Sequence, residues 1–590
     1  MRTSLFLALP AFATLAFASP SFAATYYVSP AGAYTSGCAT REMSCDLASG
    51  AALAMAGDTV VLMDGVYKAG LNIANSGTAD AWITFQADEC STPIIEGPGV
   101  GPTEDNQDSG VYSATAQYLK FRGIVSRGWS TGFGNGWTGN HVQDSNGNWD
   151  IQYCVADGNG RTGFTFYSAS NFRLKNSISA HNGSSSLHSW SSGITLYASI
   201  MSTIEGNISF ENMDAQYYTD GSGFIVDEEA HGDSFINNIA FRNGGSCLRL
   251  TKSHGTKFIN NTCYHNSQDT RDTGPNNPGE IYFTQDTEGS TQLDTTFANN
   301  VLVNTGTGPG MTAVINQPTT GWSNNVSKTG TVGDFKAPET DYTLAAGATD
   351  LIGKGTASGA PADDVGFDPK CLSAMAPTLV GSIAKGSWWQ VSVNIDYIKS
   401  IGGVQKCFNP KARSGSPDIG AYANGAVTTQ PTGVCTPPVV VMVPPPSAGG
   451  MGGMSTAGTG QSAGADAGGM PATTGGTTSV GGVPGTGGAA PIGGSGVVPG
   501  GTTGMSAGGS GATGGTATMP GAGSGPMGAG GSSTGSGGST SGPSSGGAAG
   551  KDSGEPPSGC GCRVGNEPRG ASLAVLGLAG LAFLGLRRRR

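Results

Sequence analysis

FINNIAFRN (Phe235 to Asn243), FINNTCYHN (Phe258 to Asn266) and FANNVLVN (Phe297 to Asn304) repeat one phrase, and that phrase decides the fold. Looser versions precede it: YLKFRGIVSRG from Tyr118, NWDIQYCVADG from Asn148, NFRLKNSISAHNG from Asn171 and STIEGNISFEN from Ser202. Aligned on the apolar residue two before the Asn (Phe121, Ile151, Leu174, Ile204, Ile236, Ile259, Ala298), the versions are spaced by 30, 23, 30, 32, 23 and 39 residues. A minimum of 23 with a variable excess is the period of a solenoid coil that carries loops of different length on one edge. Each phrase reads as a short strand whose Asn stacks on its neighbour. Asn176, Asn238, Asn261 and Asn300 are expected to form a structural ladder, because Asn tolerates a left-handed turn and its amide can bond the next amide up the stack. Gly123, Tyr153 and Gly206 interrupt it.

Between these phrases lies a second set of strands: Gly163 to Ser170, Gly193 to Ser199, Gly223 to Glu229, Ser246 to Lys252 and Gly279 to Asp286. Period-2 alternation turns Phe164 and Phe166, Ile194 and Leu196, Phe224 and Val226, Leu248 and Leu250, and Ile281 and Phe283 inward. Two outward columns remain: Thr165, Thr195, Ile225, Arg249, Tyr282, and Tyr167, Tyr197, Asp227, Thr251, Thr284. Long insertions (Ser184 to Ser192, Met213 to Ser222, Ser267 to Pro278) enter just before these strands. They should stack as a wall beside the columns, and a wall beside a flat sheet makes a groove.

The chain opens with Tyr26-Tyr-Val-Ser-Pro30, a short amphipathic helix over Asp46 to Ala56, Gly57-Asp58-Thr59-Val60 and Gly65-Val66-Tyr67. The helix is expected to precede the first strand (Thr59 to Leu62) and cap the solenoid's open end. This opening, with the seven coils, resembles secreted right-handed parallel β-helix proteins, a superfamily that includes pectate lyases and other polysaccharide-active enzymes. The resemblance covers about 24–424 and implies an all-β fold, a right-handed parallel β-helix solenoid. Asp341 to Gly355, Asp364-Val-Gly-Phe-Asp368 and Ser416 to Tyr422 resemble the segment that covers the last open edge of many such solenoids.

Composition divides the rest. The 590 residues include 100 Gly, concentrated behind the globular part, so one compact domain cannot hold them all. Residues 1–23 read as a secretory signal peptide, 24–424 as the β-helix domain, 425–558 as a Pro then Gly/Ser/Thr-rich disordered linker, and 559–590 as an anchor tail. That tail has Cys560-Gly-Cys562, an apolar run from Ala571 to Leu586 expected to form a transmembrane helix, and Arg587 to Arg590. It resembles the myxobacterial C-terminal sorting signal, which implies a sorting protease, involvement of Cys560 and Cys562, and an exported protein anchored at the cell envelope or surface. The formal charge of -11 argues against nucleic acid as a partner. An extended polysaccharide and a monomeric chain are expected instead. Eleven Cys in an exported chain allow disulfides, and Cys38 with Cys45 and Cys371 with Cys407 are the expected pairs.

The densest polar cluster is Asp214, Asp220, Asp227, Glu228, Glu229, His231 and Asp233, with Arg249 and Lys252 one coil later. Asp227 and Glu229 share outward parity with Arg249, and adjacent rungs are about 4.8 Å apart. Surface ion pairing is the structural explanation. A calcium site on Asp220, Asp227 and Glu229 is the functional one, since acidic loops supply the oxygens that hard cations take. In polysaccharide lyases on this fold, calcium or a cation neutralises a uronate carboxylate while Lys or Arg removes the neighbouring proton. Asp220 to Glu229 resembles the Asp-Gly-x-Gly-Phe strand of one pectate lyase family, but Ile225 stands where that family has its Lys. Arg249 or Lys252 would replace it, with Asp227 and Glu229 as further catalytic candidates. Paired carboxylates for glycoside hydrolysis are a second reading, and non-catalytic adhesion or carbohydrate binding a third. Trp190, Tyr197, Tyr217, Tyr218 and Tyr282 are the sugar-stacking candidates. His181, His254 and His265 read as isolated, solvated turn residues.

Overall fold

The computed structural model describes residues 23–99, 108–136, 146–187, 190–218, 220–271, 279–284, 294–305, 312–315, 320–338, 340–375, 392–425 and 435–443. Residues 1–22 of the expected signal peptide, the Gly-rich part of the expected linker, Cys560, Cys562 and the apolar tail lie outside the described residues. Among the described residues, no helix is long and apolar enough to cross a membrane.

The chain visits three faces in turn. Among the described residues the first sheet has 11 strands, from Thr25–Val28 to Trp322–Ser323, the second has 10, from Val66–Tyr67 to Val326–Thr329, and the third has 9, from Leu71–Asn72 to Thr312–Ile315. Neighbouring rungs pair in parallel throughout these sheets, and the fold is a right-handed parallel β-helix, the hand that parallel crossovers adopt. Inward residues fill the bore in stacks, with Phe133 on Phe164 at 4.9 Å and Phe297 on Trp322 at 5.3 Å between ring centroids.

The register corrects the alignment by one residue in its last three coils. Phe121, Ile151, Leu174 and Ile204 continue through Phe235, Phe258 and Phe297, not Ile236, Ile259 and Ala298. The tandem Asn therefore divides its labour. Gly123, Tyr153, Asn176, Gly206, Asn237, Asn260 and Asn299 all occupy one corner with φ between 49 and 71°, where Gly and Asn are least strained. The ladder runs through the next residue: Asn207, Asn238, Asn261, Asn300 and Asn325, each Nδ2 donating to the following Oδ1 at 2.7 to 3.1 Å. Asn176 belongs to the corner and not to the ladder. A second ladder, unread in the sequence, joins Asn159, Asn182, Asn212, Asn243 and Asn266 at 2.8 to 2.9 Å and ends on the Glu280 carboxylate.

The capping helix is Leu47–Leu53, with the Asp46 side chain accepting from the Ser49 amide at 2.7 Å. It does not precede the first strand: Thr25–Val28 is already paired to Thr59–Leu62, so one rung lies before the helix.

A second difference concerns the closing segment. The second sheet is apolar on both faces, as a sheet covered on both sides must be. Its outer residues Val125, Val155, Ile178, Ile208 and Ile239 pack in one cluster with Phe335, Tyr342, Leu372, Ile398 and Tyr422. The described parts of the segment, 332–375 and 392–423, thus pack along the flank of the solenoid. Tyr342 meets Phe241 and Tyr264, each at 5.3 Å, Asn237 donates to the Asp363 carbonyl at 2.7 Å, and Phe408 reaches Tyr153 at 5.9 Å. Cys435 then bonds to Cys90, and the Val443 amide donates to the Glu42 carbonyl at 2.9 Å. Cys38–Cys45 and Cys371–Cys407 are bonded as expected, Cys247–Cys263 is an additional pair, and Cys154 is a buried free thiol.

Candidate functional site

The third sheet builds the site from its alternation. Phe164, Ile194, Phe224, Leu248 and Ile281 are in register and fully buried in the bore. The next column outward is Thr165, Thr195, Ile225, Arg249 and Tyr282, and Tyr167, Tyr197 and Asp227 pair two residues on. The first column matches the alternation of the sequence throughout and the second as far as Asp227, since the strands that would carry Thr251 and Thr284 end one residue earlier, at Leu250 and Phe283.

Two groups gather on this face. The first is aromatic: Tyr167 and Tyr197 lie 5.8 Å apart, Trp190 packs against them, and Trp190 reaches Tyr217 at 5.8 Å. Tyr217 is half exposed, and Tyr218 lies 4.1 Å from the Arg271 guanidinium. The second is charged. The Arg249 guanidinium donates to the Asp220 carboxylate and sits 5.6 Å from the Tyr282 ring centre. Arg249, Asp220 and Asp227 are each no more than 5% exposed, so their charges act with little screening.

Burial raises the Asp220 carboxyl above its ordinary range, opposed by Arg249, and raises Asp227 well above it for the same reason. Asp214, fully buried, is pushed to about 7 by burial and then by the Asp220 charge. Its Oδ1 accepts from the Gln216 and Tyr217 amides, while Oδ2 has no hydrogen-bond partner. Asp214 was visible only as a member of an acidic cluster. Its burial depends on the wall beside the sheet, for which the local sequence carries no periodic signal.

Two candidates leave the group. The strand ends at Asp227, and Glu228 and Glu229 turn left-handed with φ of 42° and 60°. Outward parity does not carry past that turn, so Glu229 is exposed to solvent. Lys252, with φ 45°, meets Glu228 at 3.4 Å. The expected calcium set of Asp220, Asp227 and Glu229 is not assembled: among the described residues no three His, Cys, Asp or Glu gather where they could hold a metal ion. Asp220 is taken up by Arg249.

His181 is neither solvated nor isolated. It is fully buried, with Nδ1 2.6 Å from Asp157 and Nε2 3.1 Å from Glu211, whose other oxygen lies 2.9 Å from Arg242 Nε. Burial lowers its pKa, but the two carboxylates outweigh burial and lift it to about 9, so the ring is an imidazolium donating to both. This column lies beneath the returning segment, where the Val393 amide donates to Asp157.

The chain is similar to the family described as Periplasmic copper-binding protein (NosD) over residues 53–304. That span covers most of the coils and ends at Asn304, the last residue of the repeated phrase. Among solved structures, pectate lyase Pel9A is similar at 14% identity, covering 69% of this chain and 97% of its own, with a TM-score of 0.37. A rhamnogalacturonan lyase matches at 16% identity over 53% of this chain and 91% of its own, TM-score 0.38. An alginate lyase from Paenibacillus sp. str. FPU-7 matches at 16% identity over 52% and 98%, TM-score 0.30. No curated protein matches the sequence. The parallel β-helix itself is established by the strand pairing of this chain.

Proposed function

We propose that this is an exported, surface-tethered protein whose third-sheet face binds an extended polysaccharide and hydrolyses its glycosidic bonds by carboxylate acid–base chemistry. The observation that carries the reading is the Asp214–Asp220–Arg249 arrangement. One buried acid holds its proton near neutrality beside a second carboxylate that is paired to a guanidinium. Environments that separate two carboxyls into proton donor and anion are what glycoside hydrolysis requires. Asp214 is the donor to the leaving oxygen. Asp220 is the base, with Arg249 holding the anionic form, and Trp190 and the half-exposed Tyr217 offer faces for sugar rings, with the buried Tyr197 and Tyr282 packed behind them. Tyr218 lines the same rim.

Lyase chemistry is less favoured by this geometry. Arg249 is already neutralised by Asp220 and cannot readily clamp a uronate, and a guanidinium that stays protonated is a poor base. Copper, named in the description of the similar family, prefers nitrogen and sulfur donors, and this groove offers oxygens. Calcium would need three or more oxygen ligands gathered together, and Asp220 is already engaged by Arg249. The tail keeps its expected role in this reading: Cys560 and Cys562 mark the sorting region, and the apolar run anchors the chain in the membrane until a sorting protease acts.

Product chemistry tests the proposal. The exported chain is incubated with a panel of neutral and uronate polysaccharides, with calcium and with chelator, and assayed for reducing ends and for the ultraviolet absorbance of an unsaturated uronate. Reducing ends without that absorbance, insensitive to chelator, are expected. Unsaturated product would replace hydrolysis by elimination, and no product from any polymer would leave a binding protein.

A further inference from the structure

The first sheet carries a charged face that the groove does not use. Phe121, Ile151 and Leu174 of its strands are buried in the bore, so period-2 alternation turns two columns outward. In register, one reads Lys120, Asp150, Arg173, Thr203, Ser234 and Lys257, and the other Arg122, Gln152, Lys175, Glu205 and Ile236. These columns hold five cations and two carboxylates, whereas the whole chain has 41 acidic against 30 basic residues. The local surplus runs against the composition of the chain.

Cross-strand ion pairing accounts for part of it. Arg122 meets Asp150 at 2.7 Å and Lys175 meets Glu205 at 2.7 Å, pairs of small energetic worth at a surface. Three cations are left over. The Arg173 side chain is 47% exposed and reaches Glu205 only at 3.8 Å, Lys257 is exposed, and Lys120 Nζ lies 5.2 Å from the Trp82 ring centre. The corner beside them adds a rim: Trp82, Tyr118, Asn148, Asn171 and Met201 stand on successive rungs, each two residues before an outward position of the column that begins at Thr84 and Lys120. Trp82 and Tyr118 meet edge to face at 5.5 Å, and Met201 is 65% exposed. Aromatic faces and amides beside cations are what a sugar polymer bearing acid groups can use.

The order of charges narrows the partner. The cationic strands Leu119–Arg122 and Arg173–Lys175 lie two rungs apart, about 10 Å, with Asp150 on the rung between them and Glu205 on the rung after. A densely charged polymer such as duplex DNA, with about one phosphate per 1.7 Å of axis, would set anions against both carboxylates. A sugar ring spans about one rung, so a chain with acid groups on alternate sugars lays them over the cations and leaves neutral sugars over Asp150 and Glu205. We propose that the outward face of the first sheet is a second polysaccharide-binding surface, for an acidic chain that carries its carboxylates on alternate sugars. It lies on a different sheet from the carboxylate groove and holds the polymer without cleaving it, so it does not rest on the hydrolysis proposed above.

The test is affinity electrophoresis of the full chain carrying Asp214→Asn, so that groove chemistry does not shorten the polymer, through gels containing hyaluronan, polygalacturonate, dextran or duplex DNA. Hyaluronan, which alternates an acidic and a neutral sugar, should retard the chain most, and added salt should weaken the retardation. Arg173→Gln with Lys257→Gln should raise the dissociation constant for hyaluronan roughly 5- to 10-fold, and Trp82→Ala should raise it further. Trp190→Ala, in the groove, should leave it unchanged. Glu205→Gln removes an interleaved carboxylate and should tighten polygalacturonate more than hyaluronan. Unchanged thermal midpoints in the charge variants, expected for side chains open to solvent, show that the fold is intact. Because the readout is binding, a groove that hydrolyses nothing would leave these expectations as they are. No retardation by hyaluronan, retardation that survives the Arg173 and Lys257 substitutions or is lost to Trp190→Ala instead, or tighter binding of polygalacturonate or DNA by the parent chain would overturn the surface.

Discussion

At the scale of single residues, the functional proposal turns on which carboxyl holds a proton. Asp214 is lifted to about 7 by burial and by Asp220, so as a general acid it is competent below that value and lost as pH rises through it. A pH–rate profile should fall on its alkaline side near 7, and Asp214→Asn should remove that limb while lowering kcat by about 10²- to 10⁴-fold. His181 makes a separate, structural prediction. Its folded pKa of about 9 exceeds its ordinary 6.5, so its contribution to stability is complete below about 6.5 and is lost as pH rises through 9. His181→Gln leaves Asp157 buried without its cation and Glu211 with Arg242 alone, at a cost of about 3–5 kcal/mol below pH 6.5, and should flatten the dependence between 6.5 and 9. Urea unfolding at several pH values measures both. The buried carboxyls Asp214, Asp233 and Glu280, raised to about 7, 6 and 7, contribute with the same sign at lower pH: their share is complete below the ordinary carboxyl range and lost on rising through those values. That decline should survive in His181→Gln. None of these roles was legible in the sequence. An aspartate in a turn reads as solvated unless the fold shows what covers it.

At the scale of the element, the third-sheet strands were legible because their alternation has one meaning: apolar residues in the bore, Arg249 and Tyr197 outward. Legibility ended where the strand ended. Glu228, Glu229 and Lys252 are themselves left-handed, and period-2 reasoning fails at such a turn. The tandem Asn shows a subtler limit, since composition reveals a ladder but not which of two neighbouring amides makes it. The register assigns that work to Asn238 and its stack mates. Asn238→Ala leaves the Asn207 amide side of the ladder and the Ile204 carbonyl with lost partners, and should cost about 1–3 kcal/mol per unsatisfied buried group. Asn237→Gly, at the left-handed corner, loses its contacts to Asp363 and Arg413 but relieves a positive φ, and should cost less. Chemical denaturation of the two variants compares them directly.

At the scale of the molecule, the repeat announced a solenoid but not the path of the chain after it. The segment after Val332 covers the apolar flank of the second sheet, and residues 435–443 return to Glu42 at the N-terminal end, held by Cys90–Cys435. Nothing local marks a segment that packs against residues 345 positions away. Cys435→Ser should free 435–443 for limited proteolysis while the coils stay resistant, as read by mass spectrometry of the fragments. The same architecture places Asp214, Asp220, Arg249 and the tyrosines on one face, and the central claim is that this face cleaves polysaccharide by acid–base hydrolysis. The most direct test measures reducing-end release by the wild-type chain, Asp214→Asn and Asp220→Asn on whichever polymer the wild type degrades. The account predicts loss of about 10²-fold or more in both variants with intact thermal midpoints. Wild-type rates in both would contradict it.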